Sequence, residues 1–117
     1  VDTDKLLRGY ALHARDFRKV TLRKSLLRGA NLAGIDLRGA NLSEANLIEA
    51  DLSEADLSGV NLAQADLSQA NLNRADLTGA SLKGATLREA TLVNTTLCRA
   101  NLCGANLSRA NLCGADM

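Results

Sequence analysis

The 117-residue sequence contains no proline and no tryptophan, and its aromatic content stops at Tyr10 and Phe17. Without bulky rings a wide interior cannot be filled, so the core must be thin and built from leucine and alanine. The lack of proline leaves every backbone N–H free to donate, as a fold held by repeated main-chain ladders requires. Long apolar runs are missing as well. None approaches the roughly 18 residues of a membrane span. The opening VDTDKLLRGY lacks the basic-then-apolar order of a signal peptide. A cytoplasmic location without membrane association is therefore the expectation. No excess of either charge is present: 14 Lys and Arg stand against 13 Asp and Glu. That balance argues against the whole chain acting as a polyanion binder. The length suits one domain.

What the sequence does have is a period of five. Leucine fills every fifth position from Leu22 to Leu112, Met117 takes the next, and Phe17, Leu12 and Leu7 keep the phase backwards. From Leu22 onward the residue two before the centre is usually alanine or another small residue. Immediately before each centre stands Asn or Asp, with Thr21, Ser81, Thr86, Thr91 and Thr96 as variants and Leu26 as the exception. On an α-helix a step of five turns about 140°, which smears the leucines around the surface. In a plain strand it sends successive leucines to opposite faces. A strand-like path that bends once per repeat points them all inward.

The nine glycines fall two residues after a centre, which marks that position as a corner. Because Glu44, Glu49, Gln64 and Arg74 share the phase, the corner is not expected to demand a positive φ.

These motifs, ANLSE at 40–44, ADLSE at 50–54, ADLTG at 75–79 and ANLSR at 105–109, resemble the A(D/N)LXX pattern of the pentapeptide-repeat family. The resemblance runs over residues 15–117. It implies an all-β fold, a right-handed quadrilateral β-helix with about twenty residues per coil. With neighbouring strands about 4.8 Å apart, five coils make a rod about 25 Å long. Residues 1–14 form a separate segment, similar to the short N-terminal helix and lead-in turn of cyanobacterial members. There Asp2 or Thr3 is the candidate cap, and Leu6, Leu7 and Tyr10 make one apolar face. It is read as a lid on the first coil. The other end has no lid. Leu102, Leu107, Leu112 and Met117 form a candidate self-association edge, through which a homodimer is expected.

Residues 1–40 carry nine basic and four acidic side chains, 41–80 one and seven, and 81–117 four and two. Arg15, Arg18, Lys19, Arg23, Lys24 and Arg28 thus form a candidate basic patch for an unidentified protein partner. No aromatic residues are interleaved with it, which argues against nucleic acid. Asp16, Asp36, Asp56 and Asp76 stack at twenty-residue spacing, with turn N–H groups the expected compensation for their repulsion. Cys98, Cys103 and Cys113 fall on three sides of a four-sided coil, and His13 stands alone. Neither pattern gives a disulfide framework, a zinc site or a catalytic base. No cofactor, metal or catalytic residue is expected.

The function expected is therefore a non-enzymatic scaffold or protein-interaction module presenting flat rod faces. The family resemblance implies two alternatives, DNA mimicry toward DNA gyrase and regulation of cyanobacterial cell differentiation. Near-neutral charge counts against the first.

Overall fold

The computed structural model describes residues 2–117, so Val1 lies outside the described residues. Helix α1 spans Thr3–Ala11. Asp2 caps it, accepting the Lys5 N–H at 2.8 Å, which satisfies one of the free donors of the first turn. Leu12 closes the other end, its N–H shared between the Arg8 and Gly9 carbonyls. Leu6 is fully buried and joins the core, with Leu7 and Tyr10 partly buried beside it. Leu12 is 80% exposed. The five-residue phase therefore does not extend back through Leu12 and Leu7; helical spacing governs there, and the repeat begins at Asp16.

From Asp16 onward the chain bends once per repeat. Each central leucine carbonyl accepts the N–H of the residue three further on, as Leu42 does from Ala45 at 3.1 Å. The residue two after each centre has φ near +60°, so the bend has the character of a type II turn. Four bends complete a coil. Residues twenty apart form parallel bridges from Asp16–Asp36 to Thr96–Asp116, in four columns. Between coils, the Leu62 N–H donates to the Ser81 carbonyl at 2.8 Å and the Gln64 N–H to Lys83 at 2.8 Å. The Asn61 N–H returns to Ala40 at 2.9 Å.

The left-handed conformation holds at every corner from Lys19 to Gly114, including Glu44, Glu49, Gln64 and Arg74. This corrects the expectation that the corner does not demand it. The corner N–H must reach the next coil, as Glu44 does to Ala63, while the N–H of the following residue closes the turn, as Ala45 does to Leu42, and the left-handed corner allows both. A non-glycine residue gives up about 1–2 kcal/mol there, offset by the hydrogen bonds it permits. Gly9 is the glycine outside the pattern. It lies within α1, where the Phe17 ring packs so closely that a Cβ would meet it at 3.1 Å.

The all-β, right-handed quadrilateral β-helix implied by the resemblance is corrected as well. Among the described residues no β-strand exists, and regular secondary structure is confined to α1. Each repeat spends two residues in the turn itself and pairs one with the coils above and below. Extension never lasts long enough for a strand. The β-solenoid description gives way to a stack of turns joined by single-residue bridges. The scaffold of flat rod faces falls with it, because there is no sheet to make a face flat. Its two alternatives, gyrase binding by DNA mimicry and regulation of cell differentiation, belong to the same withdrawn reading.

The core is an axial stack. The central leucines from Leu22 to Leu97 are at most 4% exposed, with the inward alanines from Ala40 to Ala90 between them, whereas Leu26, one position before a centre, is 77% exposed. Each buried leucine contributes about 1.5–3 kcal/mol of transfer free energy. Ile35 and Val60 replace alanine without leaving the core. Thr95 does so by donating its hydroxyl to the Leu72 carbonyl at 2.6 Å. Ser25 Oγ is buried without a hydrogen-bond partner among the described residues. The molecule measures 33 × 23 × 23 Å, the long axis taking in both the stack and the helix over its end.

Candidate protein-binding surface

The residue before each centre builds the surface first. Its side-chain oxygen turns back to accept the N–H two residues on: Arg38 to Asp36 at 3.2 Å, Ser58 to Asp56 at 3.2 Å, Thr78 to Asp76 at 3.0 Å. Where the next outward residue is Ser or Thr, its hydroxyl adds a second bond, as from Ser68 to Asp66 at 2.6 Å. These local bonds hold the stacked carboxylates apart from one another in orientation and compensate part of their repulsion.

Guanidinium groups compensate the rest at the basic end. Arg18 donates from Nε and Nη2 to the two oxygens of Asp16, both at 2.9 Å. Arg38 donates to Asp36 from Nε at 3.0 Å and from Nη2 at 2.8 Å. Its Nε also lies 3.3 Å from Asp56 Oδ2. The hydrogen bond from Arg18 brings the Asp16 carboxyl down to about 2. That from Arg38 holds Asp36 below the usual carboxylate range, against a smaller opposing effect of burial. Both guanidinium groups are correspondingly harder to deprotonate.

The six basic residues form a collar, not a patch on one side. Arg18 and Lys19 lie on one side of the first coil, Arg23 and Lys24 on the next, and Arg28 on the third. Arg23 pairs with Glu44 at 2.6 Å and Arg28 with Glu49 at 3.1 Å, each reaching one coil up. Arg15 belongs to the helix end. Its guanidinium lies 3.8 Å from the Tyr10 ring centroid and donates to the Tyr10 and Ala14 carbonyls. Lys19 and Lys24 differ from these. They occupy exposed corners with φ of 59° and 61°, and among the described residues neither has a carboxylate within salt-bridge reach. Lys19, Arg18 and Asp16 line an open groove of about 360 Å³.

Sequence reasoning missed the acidic partners Glu44 and Glu49. Their signal is an offset of twenty-one residues from Arg23 and Arg28, legible only after the twenty-residue coil is known.

At the far end Leu102, Leu107 and Leu112 are half-buried, and Met117 is 71% exposed. Cys98 is partly buried and Cys103 and Cys113 are exposed, all with free thiols. His13, φ 76°, sits exposed just after α1. Among the described residues no group of three or more His, Cys, Asp or Glu is placed to hold a metal ion. No helix is long and apolar enough to cross a membrane.

The family description "Pentapeptide repeats (8 copies)" matches residues 16–53, 55–92 and 80–117. Comparison with curated proteins gives no match. Among solved structures, the chain is similar to a pentapeptide repeat protein of the Arabidopsis thaliana thylakoid lumen. Identity is 33%, the TM-score 0.76, and 77% of this chain and 63% of that one are covered. It is also similar to HetL, a pentapeptide repeat protein involved in heterocyst differentiation regulation in the cyanobacterium Nostoc. That match has 44% identity and a TM-score of 0.60, over 94% of this chain and 51% of the other. A third is a pentapeptide repeat protein of the cyanobacterium Cyanothece, 30% identical with a TM-score of 0.54, covering 97% and 93%. The chain thus spans less than two thirds of the length of the first two. The thylakoid-lumen relative overturns the cytoplasmic expectation, since a missing leader pattern in VDTDKLLRGY does not fix a compartment. The chain belongs to the pentapeptide-repeat family.

Proposed function

We propose that this chain is a non-catalytic protein-binding module that meets an acidic partner with the collar of its first coil. Members of the family serve as protein-interaction modules and are generally non-catalytic, which supports the broad reading. One observation carries the finer one: Lys19 and Lys24 are exposed at adjacent corners and unpaired among the described residues, while Arg18, Arg23 and Arg28 are tied to carboxylates. The paired arginines stiffen the collar, and the two lysines supply its uncompensated charge. An incoming carboxylate meets an ammonium without first displacing an internal partner. Exposed ion pairs are each worth at most about 1 kcal/mol and are screened by salt. The collar therefore gives orientation and encounter rate, with affinity drawn from contacts around it.

The test is affinity capture from an extract of the native host, comparing the wild-type chain with Lys19→Glu/Lys24→Glu. Arg99→Glu/Arg109→Glu, at the other end, is the control. Arg15, Arg18, Arg23 and Arg28 are poor targets because each holds a structural contact. A partner retained by wild type and control and lost by the lysine variant supports the reading. Equal retention by all three contradicts it.

A further inference from the structure

One side of the first coil breaks the repeat. From Asp16 to Asp116, Asp, Asn, Ser or Thr stands immediately before every centre except one, where Leu26 takes the place. Asp and Asn at this position accept the N–H two residues on, as Asn31 does from Ala33 at 3.3 Å and Asn46 from Ile48 at 3.1 Å. Leucine offers no acceptor, and the Arg28 N–H has no partner among the described residues. The Leu26 side chain is 77% exposed. Neither a hydrogen bond nor burial within this chain accounts for it.

A single exposed leucine is ordinary on a protein surface, but the setting of this one is not. Asn46 is bridged to Leu26 from one coil up. Ile48, half-buried, stands above Arg28 on the same side, its carbonyl accepting the Gly29 N–H at 2.8 Å. Gly29 leaves open space at the corner where a Cβ would project. The opposite corner of this side is Lys24, exposed and without a carboxylate in salt-bridge reach among the described residues. Arg28 is held by Glu49 at 3.1 Å. An apolar pair, Leu26 and Ile48, thus shares one side with an uncompensated positive charge.

We propose that Leu26 is the apolar anchor of the collar's docking surface, and that the partner segment it receives carries a large apolar side chain beside acidic residues. The proposal rests on the reading of the collar as a surface for an acidic partner and adds the class of segment bound. Charge complementarity selects the occupant. The free Lys24 ammonium draws a carboxylate to one corner, and the neighbouring apolar side chain of the same segment covers Leu26 and Ile48, taking apolar surface out of water. Exposed charge pairs add little affinity by themselves. The apolar contact therefore supplies most of the binding strength, and the lysines supply its orientation.

The probes are two end-blocked peptides, Asp-Glu-Phe-Glu-Asp and the same sequence with Ser in place of Phe, titrated into the isotope-labelled full chain and followed by amide NMR. The Phe peptide is expected to bind about tenfold more tightly, as covering part of a phenyl side chain implies. Its shifts should centre on Lys24, Leu26, Arg28 and Ile48. Leu26→Asn restores the residue of the repeat, so its thermal unfolding should match or exceed that of wild type while the Phe advantage falls to about twofold or less. Lys19→Glu/Lys24→Glu should weaken both peptides. A Phe advantage that survives Leu26→Asn overturns the proposal, as does a lower unfolding midpoint in that variant, which would make Leu26 structural. Absence of shifts at Leu26 with the Phe peptide at millimolar concentration overturns it too. Wild-type self-association that Leu26→Asn removes would make a second copy the occupant and has the same consequence. Equal binding of the two peptides that the lysine variant abolishes overturns the anchor and leaves the collar reading standing. Binding that the lysine variant does not weaken overturns both.

Discussion

Arg38 stands between Asp36 and Asp56, 2.8 Å from an oxygen of the first and 3.3 Å from an oxygen of the second. Two carboxylates one coil apart thus share one guanidinium. Arg18 does the same one coil lower, at 2.9 Å from Asp16 and 4.0 Å from Asp36. The result is an alternating ladder of charge up one side, stopping at Asp56 because Ser58 and Thr78 replace arginine in the next two coils of that column.

The ladder makes a prediction about pH. Asp16 at about 2, and Asp36 lowered, lie below the unfolded carboxylate range near 3.9. Their contribution to stability is complete above that range. It is lost as pH falls through the folded values, so acid weakens the basic end between about pH 4 and pH 2. Carboxyl titration followed by NMR should show Asp36 rising in Arg38→Met. An unchanged Asp36 would show that the guanidinium is a bystander.

Core and surface should respond differently to one new charge. Leu67→Asp buries a carboxylate in the axial stack, while Leu67→Ala leaves a cavity and should cost about 3–5 kcal/mol. Ala63→Asp, one position outside the core and beside Lys83 in its column, should stay within about 0.5 kcal/mol of wild type. Ser68→Asp is a worse control than its outward position suggests, because the Ser68 hydroxyl is bonded to Asp66. Thermal unfolding measures all four. Similar shifts for Leu67→Asp and Ala63→Asp would refute the assignment of inside and outside.

The corners offer a backbone test. Gln69 has φ 60°, so Gln69→Gly should relieve strain and stabilise the chain by up to about 1 kcal/mol after the entropy of glycine is counted. Gly59→Ala should cost about 1 kcal/mol from conformation alone, since open space surrounds the place a Cβ would take. Opposite signs for the two substitutions in chemical denaturation are expected. Equal signs would mean that the corner conformation is not the controlling factor.

Tyr10→Phe removes the hydroxyl from the Ala33 carbonyl and nothing else. The loss should be about 0.5–1.5 kcal/mol, with faster amide exchange in α1 and little change at Leu62. Loss of protection throughout the stack would mean that the cap and the coils unfold as one unit.

How far the sequence could be read depends on the element. The leucine and alanine columns were legible because a period of five admits no ordinary helix or strand, and Leu32 to Leu87 are as buried as that pattern requires. The Asn and Asp phase was legible too, since a short side chain beside a bend bonds the nearby N–H. Strand content was not. Counting leucines locates the inward positions but does not say how many residues between bends remain extended, and that number is too small for a sheet. The corner conformation was misread from Glu44 and Arg74, because residue type records what a position tolerates and the hydrogen bonds decide what it adopts. The basic collar was visible as composition. Its division into tied arginines and free lysines was hidden, because Glu44 and Glu49 come within reach of Arg23 and Arg28 only after the coil closes.

The most direct test of the stacked coil is amide hydrogen exchange resolved by residue. Stacking in the observed register predicts slow exchange at Leu22, Leu27, Leu32, Leu62 and Leu67, whose N–H groups donate to the coil above. In this chain it predicts fast exchange at Leu102, Gly104, Leu107, Leu112 and Gly114, whose N–H groups have no partner among the described residues. Protection that is uniform from end to end, or highest in the last coil, would contradict it.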